Sequence, residues 1–159
     1  MLGATLLFAC ADNSQKVNET QSDQPVQTIA QSFITDDTIK VIASGETMAE
    51  INFDKKVIRV PANKAITIAL TNESSDATMP HNLVIIKQGT ANEVGQNGLK
   101  FKENGYVNPE DENVIAHSPL AQINTTVYFS FTTPSAGEYE FICSYPGHWG
   151  LMKGGFVTK

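Results

Sequence analysis

At 159 residues, with 41% hydrophobic and 18% charged side chains, the chain has material for one domain with a sizeable core and a short appendage. Its formal charge of -6 argues against nucleic acid as a partner, because phosphate recognition needs basic patches. No cluster of Lys and Arg is longer than Lys55-Lys56, so docking to an anionic membrane surface is equally unsupported.

Residues 1–9 are almost wholly apolar and small, and end in Leu7, Phe8 and Ala9 before Cys10. The run is too short to span a bilayer, which takes roughly 20 apolar residues. It reads as the end of an export signal. A Leu, a small residue and then Cys resembles the lipobox of bacterial lipoproteins, in which Cys10 would be lipidated and become the mature N-terminus. No Lys or Arg precedes the run, so a start further upstream or an unmodified signal remnant stays open; the lipid anchor is the favoured reading. One acyl chain binds membranes only marginally, so firm anchoring takes more than one. Residues 11–36 are rich in Asn, Gln, Ser, Thr and Asp and show no hydrophobic period. They read as a polar flexible linker, a tether on which a domain swings above a membrane.

From residue 37 onward the pattern changes to short β segments. Residues 39–43 alternate, 49–53 and 56–60 follow around the turn-like Asp54-Lys55, and 65–71 alternate strictly. Residues 81–87 form a β-branched run. Residues 125–132 put Val127, Phe129 and Phe131 on one face, and 138–143 put Tyr139 and Phe141 opposite Glu140 and Ile142. Residues 156–158 close the chain. Seven or eight strands with little helix predict an all-β domain over 37–159, a Greek-key two-sheet sandwich or barrel. Residues 88–120 break the rhythm as a long surface flap, to which no chemistry is assigned. Within it a helical turn or two is predicted over 90–95, with Thr90 capping and Glu93 completing a capping box. Tyr139, four residues before Cys143, suits a corner tyrosine that stabilises a sandwich.

The chemistry concentrates near the C-terminus. Cys143, His148 and Met152 occur within ten residues, with the turn signal Pro146-Gly147 between them. Such a turn folds the loop back so that thiol, imidazole and thioether converge. His81, after Pro80 at the start of a strand, is a fourth candidate. Singly, each has a bland reading: Met in the core, Cys buried and inert, His on the surface. The joint spacing Cys-x4-His-x3-Met, with a distant His-Asn, favours a metal. Soft sulfur with imidazole suits copper cycling between two oxidation states, and two His, one Cys and a weak axial Met is the blue-copper set. Two cysteines are too few for a disulfide scaffold or a four-thiolate zinc site.

The ending Cys143-Ser144-Tyr145-Pro146-Gly147-His148-Trp149-Gly150-Leu151-Met152, continued by Lys153-Gly154-Gly155-Phe156, closely resembles the azurins among the blue copper proteins, or cupredoxins. Residues 113–120 and 132–139 are more similar to the auracyanins. The resemblance covers residues 39–159. It implies one copper ion held by His81, Cys143, His148 and Met152, in a protein that is not an enzyme but carries single electrons. It also implies a distant oxygen from the Pro80 carbonyl, where azurins have Gly. Asn82 resembles the residue that links the two ligand loops and hydrogen-bonds the thiolate sulfur; its bland reading is a turn residue. The cysteine pair of the azurin disulfide is missing, and His117 is read as a flap or surface residue.

By this resemblance electrons pass through an exposed edge of His148, with outer-sphere transfer and no bond to a substrate. Tyr145, Pro146, Trp149 and Leu151 are expected to form an apolar patch around that edge, in preference to a packing role for Trp149. Such a patch suits transient docking of redox proteins such as cytochromes or membrane electron-transfer complexes. The expected location is the periplasm or cell-envelope surface, tethered through Cys10. Copper enzymes of this type need further copper on extra histidines, and only three His are present. A copper store would show Met-rich or multi-Cys tracts, and none occurs. A structural zinc site is the remaining rival, and a blue oxidised protein excludes it.

Overall fold

The computed structural model describes residues 38–159. The expected signal, lipobox and linker lie outside the described residues. Nine strands are formed among the described residues: β1 (Ile39–Ser44), β2 (Asn52–Phe53), β3 (Val57–Val60), β4 (Ala65–Asn72), β5 (Val84–Lys87), β6 (Val114–His117), β7 (Thr126–Thr132), β8 (Gly137–Ile142) and β9 (Lys153–Thr158). A single helix, α1 (Ala91–Gly98), and a 3-10 turn at Lys102–Asn104 lie between β5 and β6.

The strands form two sheets, ordered β2-β1-β4-β7 and β3-β9-β8-β5-β6. The β1–β4 and β3–β9 pairs are parallel and the others antiparallel. The result is a sandwich of two mixed sheets, not a closed barrel. The alternation read from the sequence sets the core. Val41, Ile68 and Leu70 of one sheet meet Ile85, Phe141 and Phe156 of the other. Phe53 and Phe141 touch edge-to-face across the gap, ring centres 5.4 Å apart. Burying such a side chain stabilises by roughly 1.5–3 kcal/mol, an upper value because an unfolded chain already hides some apolar surface.

The five-stranded sheet is covered on its other face as well. Val84 and Ile86 of β5 and Ile142 of β8 pack with Val94 of α1 and with Val107. This explains why β5 reads as an unbroken β-branched run instead of alternating: both of its faces are dry. Tyr139 is a corner tyrosine, its hydroxyl donating to the Ser135 carbonyl at 3.0 Å.

Three local expectations are corrected. Strand β6 lies inside the expected flap, paired antiparallel to β5 with a register shift between Ile85 and Ile86. Thr90 makes no side-chain cap on α1; its hydroxyl donates back to the Lys87 carbonyl at 2.7 Å, so the capping box does not form. The 81–87 run is a strand only from Val84, and His81 instead forms an isolated bridge with Ala121. That bridge places a ligand candidate just beyond the strand, where the backbone is free to turn its side chain inward.

Candidate metal centre

The loop after β8 closes on itself through its backbone. His148 N–H donates to the Tyr145 carbonyl at 2.9 Å. Leu151 and Met152 N–H both donate to the His148 carbonyl, at 3.0 and 2.8 Å. Cys143 N–H donates to the Met152 carbonyl at 3.0 Å, which ties the loop's two ends together as β9 begins. Gly147 has φ +86, a left-handed turn that a residue with a Cβ rarely adopts. Pro146 before it stiffens the approach. This geometry points Cys143 and His148 inward and leaves Met152 fully buried at the base of the loop.

His81 arrives from a different part of the chain. Its N–H donates to the Ala121 carbonyl at 3.1 Å and its carbonyl accepts from Ala121 N–H at 2.7 Å. Asn82 is the fastener between the two ligand segments. Its Oδ1 accepts from Ser144 N–H at 2.8 Å. Its Nδ2 donates to Ser144 Oγ at 2.8 Å and to the Gly105 carbonyl at 2.9 Å. The expected link between loops therefore exists, but both amide protons are committed away from the sulfur. Backbone N–H groups of Asn82 and Tyr145 hydrogen-bond the sulfur instead.

Three donor atoms converge. Cys143 Sγ lies 3.8 Å from His81 Nδ1 and 3.6 Å from His148 Nδ1. All three donors lie within 4.8 Å of one another and all three residues are buried. Metal–nitrogen and metal–thiolate distances of about 2.1 and 2.3 Å separate the donors by about 3.6 Å at a tetrahedral angle and about 3.8 Å at a trigonal one. The site thus has the size of one first-row ion. Its protonation also fits. Burial, with the neighbouring His148 second, lowers His81 to about 4, and burial lowers His148 too. Both imidazoles are then neutral at neutral pH, which is the ligating form. Burial pushes the Cys143 thiol up to about 12, against the pull of the two backbone N–H groups. Without metal the thiol keeps its proton, so metal binding must displace it.

The surroundings differ from the expected patch. His148 is only 1% exposed, so no more than a small edge of its imidazole is open. No buried side-chain nitrogen or oxygen among the described residues lacks a partner, and Nε2 of His148 has none within the protein, so that atom is where His148 meets solvent. Tyr145 covers the imidazole, ring centres 4.8 Å apart, and Tyr106 meets Tyr145 edge-to-face at 5.2 Å. Trp149 turns away to pack on α1. A Cβ on Gly95 would stand 2.3 Å from its indole, so the glycine makes room for the ring. Leu151 is 59% exposed and is the apolar side chain of the expected patch that faces water. Met48, 41% exposed, lies against Gly147 and adds to the same rim. Pro80 is buried directly before His81, and Pro146 is half-buried. His117 is half-buried in β6, opposite Val84.

Several contributors went unread in the sequence. The flap does reach the site, through the Gly105 carbonyl on Asn82 and the Tyr106 ring on Tyr145. Tyr106 holds φ 62, a left-handed conformation that costs a bulky residue about 1–3 kcal/mol, with its ring set against Tyr145. Buried Asn72 and Ser74 brace the approach to His81. Asn72 Oδ1 accepts from Ser74 N–H at 2.9 Å, while its Nδ2 donates to the Met79 and Ala121 carbonyls at 2.9 and 3.1 Å. The polar run Asn72-Glu73-Ser74-Ser75-Asp76 was the available signal, but such runs are ordinarily loops.

A β-sandwich holding one cysteine sulfur and two imidazoles at single-ion spacing defines a protein with a site for one first-row metal ion. A profile described as copper binding proteins, plastocyanin/azurin family, matches residues 39–159. The chain belongs to that family and is a blue-copper, auracyanin- and azurin-like member of it. Auracyanin-A of Chloroflexus aurantiacus is 40% identical over 125 residues, covering 77% of this chain and 74% of the relative. Outer membrane protein H.8 of Neisseria meningitidis serogroup B is 38% identical over 119 residues, 70% of this chain and 64% of that protein. The solved structure of dithionite-reduced auracyanin from Roseiflexus castenholzii superposes with a TM-score of 0.69 at 30% identity, covering 77% of this chain and 97% of that one. The cofactor is accordingly a single copper ion, and His81, Cys143 and His148 are placed for it.

Proposed function

We propose that this protein is a single-electron carrier and not an enzyme. Copper would be held by His81, Cys143 and His148, with the buried Met152 thioether as a fourth, weaker donor. Bound copper supplies a one-electron couple between Cu(II) and Cu(I), with no bond made to a substrate. The observation that supports this reading most is the buried donor triangle of 3.6–3.8 Å contacts, set by loops anchored in a packed core. Packed cores yield little to local forces, so the donors stay in place when charge arrives. Main-chain N–H groups of Asn82 and Tyr145 stabilise the thiolate and draw density from the sulfur, which raises the reduction potential. The Pro80 carbonyl would be a distant fifth oxygen.

Electrons would enter and leave at Nε2 of His148, beneath a rim that includes Leu151 and Met48. A small apolar rim suits brief encounters with redox proteins such as cytochromes or membrane electron-transfer complexes. An exported location, at the periplasm or cell-envelope surface with Cys10 lipidated, is consistent with a relative named as an outer membrane protein. The test is the optical and paramagnetic-resonance spectrum of the oxidised protein, followed by its electron self-exchange rate. An intense thiolate-to-copper visible band with fast exchange is expected, and Leu151→Lys should slow exchange while leaving the spectrum alone. A colourless copper-loaded protein, or slow exchange in the unmodified one, would overturn the proposal.

A further inference from the structure

His81 reaches the site through Nδ1, and its other nitrogen decides whether it can. A neutral imidazole carries one proton. If Nδ1 holds it, no lone pair faces Cys143; if Nε2 holds it, Nδ1 is free. Nε2 of His81 lies 3.4 Å from Oγ of Ser74, the polar side chain placed beside it. Ser74 is fully buried, and its hydroxyl has a single proton to give. Two groups stand within reach of that proton: the Gly45 carbonyl at 2.9 Å and His81 Nε2 at 3.4 Å. The carbonyl has only lone pairs and is the nearer, so the hydroxyl donates there. What Ser74 then presents to His81 is a lone pair, which an Nε2–H satisfies and a bare Nε2 does not.

We infer that Ser74 is a positioning residue that selects the Nε2–H tautomer of His81 and thereby frees Nδ1 for the metal. Its own orientation is held from both sides. Asn72 Oδ1 fixes the Ser74 backbone at 2.9 Å, and Gly45 belongs to the β1–β2 loop. That loop also grips the same segment through the Glu46 carboxylate, which accepts from Ser75 and Asp76 N–H at 2.9 and 3.0 Å. Ligating histidines depend on such outer partners, whose loss typically costs about 10- to 100-fold in metal affinity.

The inference rests on His81 binding through Nδ1. The tautomer is measurable in metal-free protein, so its failure is distinguishable from failure of the ligand assignment, which copper binding reports. Long-range proton–nitrogen correlation NMR on the 15N-labelled full chain, metal-free at pH 7.5, should show His81 as Nε2–H alone. Ser74→Ala should give mixed tautomers and bind Cu(I) about tenfold or more weakly. Ser74→Thr, which keeps the hydroxyl, should restore both. An Nδ1–H tautomer in the unmodified protein overturns the inference without any variant. So does Ser74→Ala with an unchanged tautomer and unchanged affinity.

Discussion

The loop that follows β8 and the segment that leads into β5 reach the same metal by opposite means. The first is local: Cys143, His148 and Met152 are brought together by hydrogen bonds within one short stretch. The second is assembled. His81 is held by Ala121 and by the bridge that Asn82 makes to Ser144, both distant along the chain, and by Ser74 seven residues upstream. A local loop can approximate its geometry once its turn forms, because few dihedrals need fixing. An assembled one exists only when the sheets have packed, since closing long loops costs entropy that burial must outweigh. The site is therefore complete only in the folded sandwich.

Experiments can set the two halves against each other. The largest effect is expected from the local half: Cys143→Ser should abolish the intense visible band, and a retained blue colour would refute the thiolate assignment. Next comes the fastener between them. Asn82→Ala leaves buried Ser144 N–H without its acceptor and should cost about 3 kcal/mol in denaturant unfolding. A loss well under 1 kcal/mol would show that the halves dock without it.

Acid should act on both halves, since burial lowers His148 too, and most on the assembled one. The folded, metal-free protein holds His81 at about 4 against an ordinary 6.5, through burial first and His148 second. Between those values the unfolded chain binds more protons than the folded one. Stability is therefore full above about pH 6.5 and falls as the pH drops toward 4. Denaturant midpoints of metal-free protein measured across this window should decline, and a flat profile would argue against the buried neutral imidazole. Copper binding at pH 7.5 should also release about one proton, the Cys143 thiol proton, as read by calorimetry in buffers of different ionisation enthalpy.

The smallest structural effect is expected at the base of the loop. Met152→Leu conserves volume and should change stability by less than about 1.5 kcal/mol. It should keep the colour while raising the reduction potential, because the oxidised ion loses a sulfur donor. An unchanged potential in voltammetry would mean that the thioether does not face the metal.

How much of this was legible beforehand follows the same divide. The ligand loop could be read because its chemistry and its turn are adjacent in sequence: Pro146 and Gly147 fold it, and the donors sit on either side. Most strands were legible through alternation and β5 through its β-branched run, but β6 was not, a short run inside a polar stretch that pairs with buried β5. Thr90 misled because a hydroxyl before a helix has two acceptable partners, and here it bonds the Lys87 carbonyl behind it and not the helix ahead. Trp149 and His148 misled for one reason. Beside each other in sequence, both looked exposed, yet α1 covers the indole over Gly95 and Tyr145 covers the imidazole.

By itself, then, the sequence determined the donor types, the local loop that carries Cys143, His148 and Met152, and the all-β alternation that builds the core. These depend on spacing of a few residues and on side-chain chemistry. Tertiary structure decided the rest. It determined that His81 completes the donor triangle, that backbone amides and not the Asn82 side chain serve the sulfur, and that Ser74 and Tyr106 stand behind the ligands. Most of those contacts join residues tens of positions apart, and even the one from Ser74 to His81, seven apart, is set by packing and not by a local pattern.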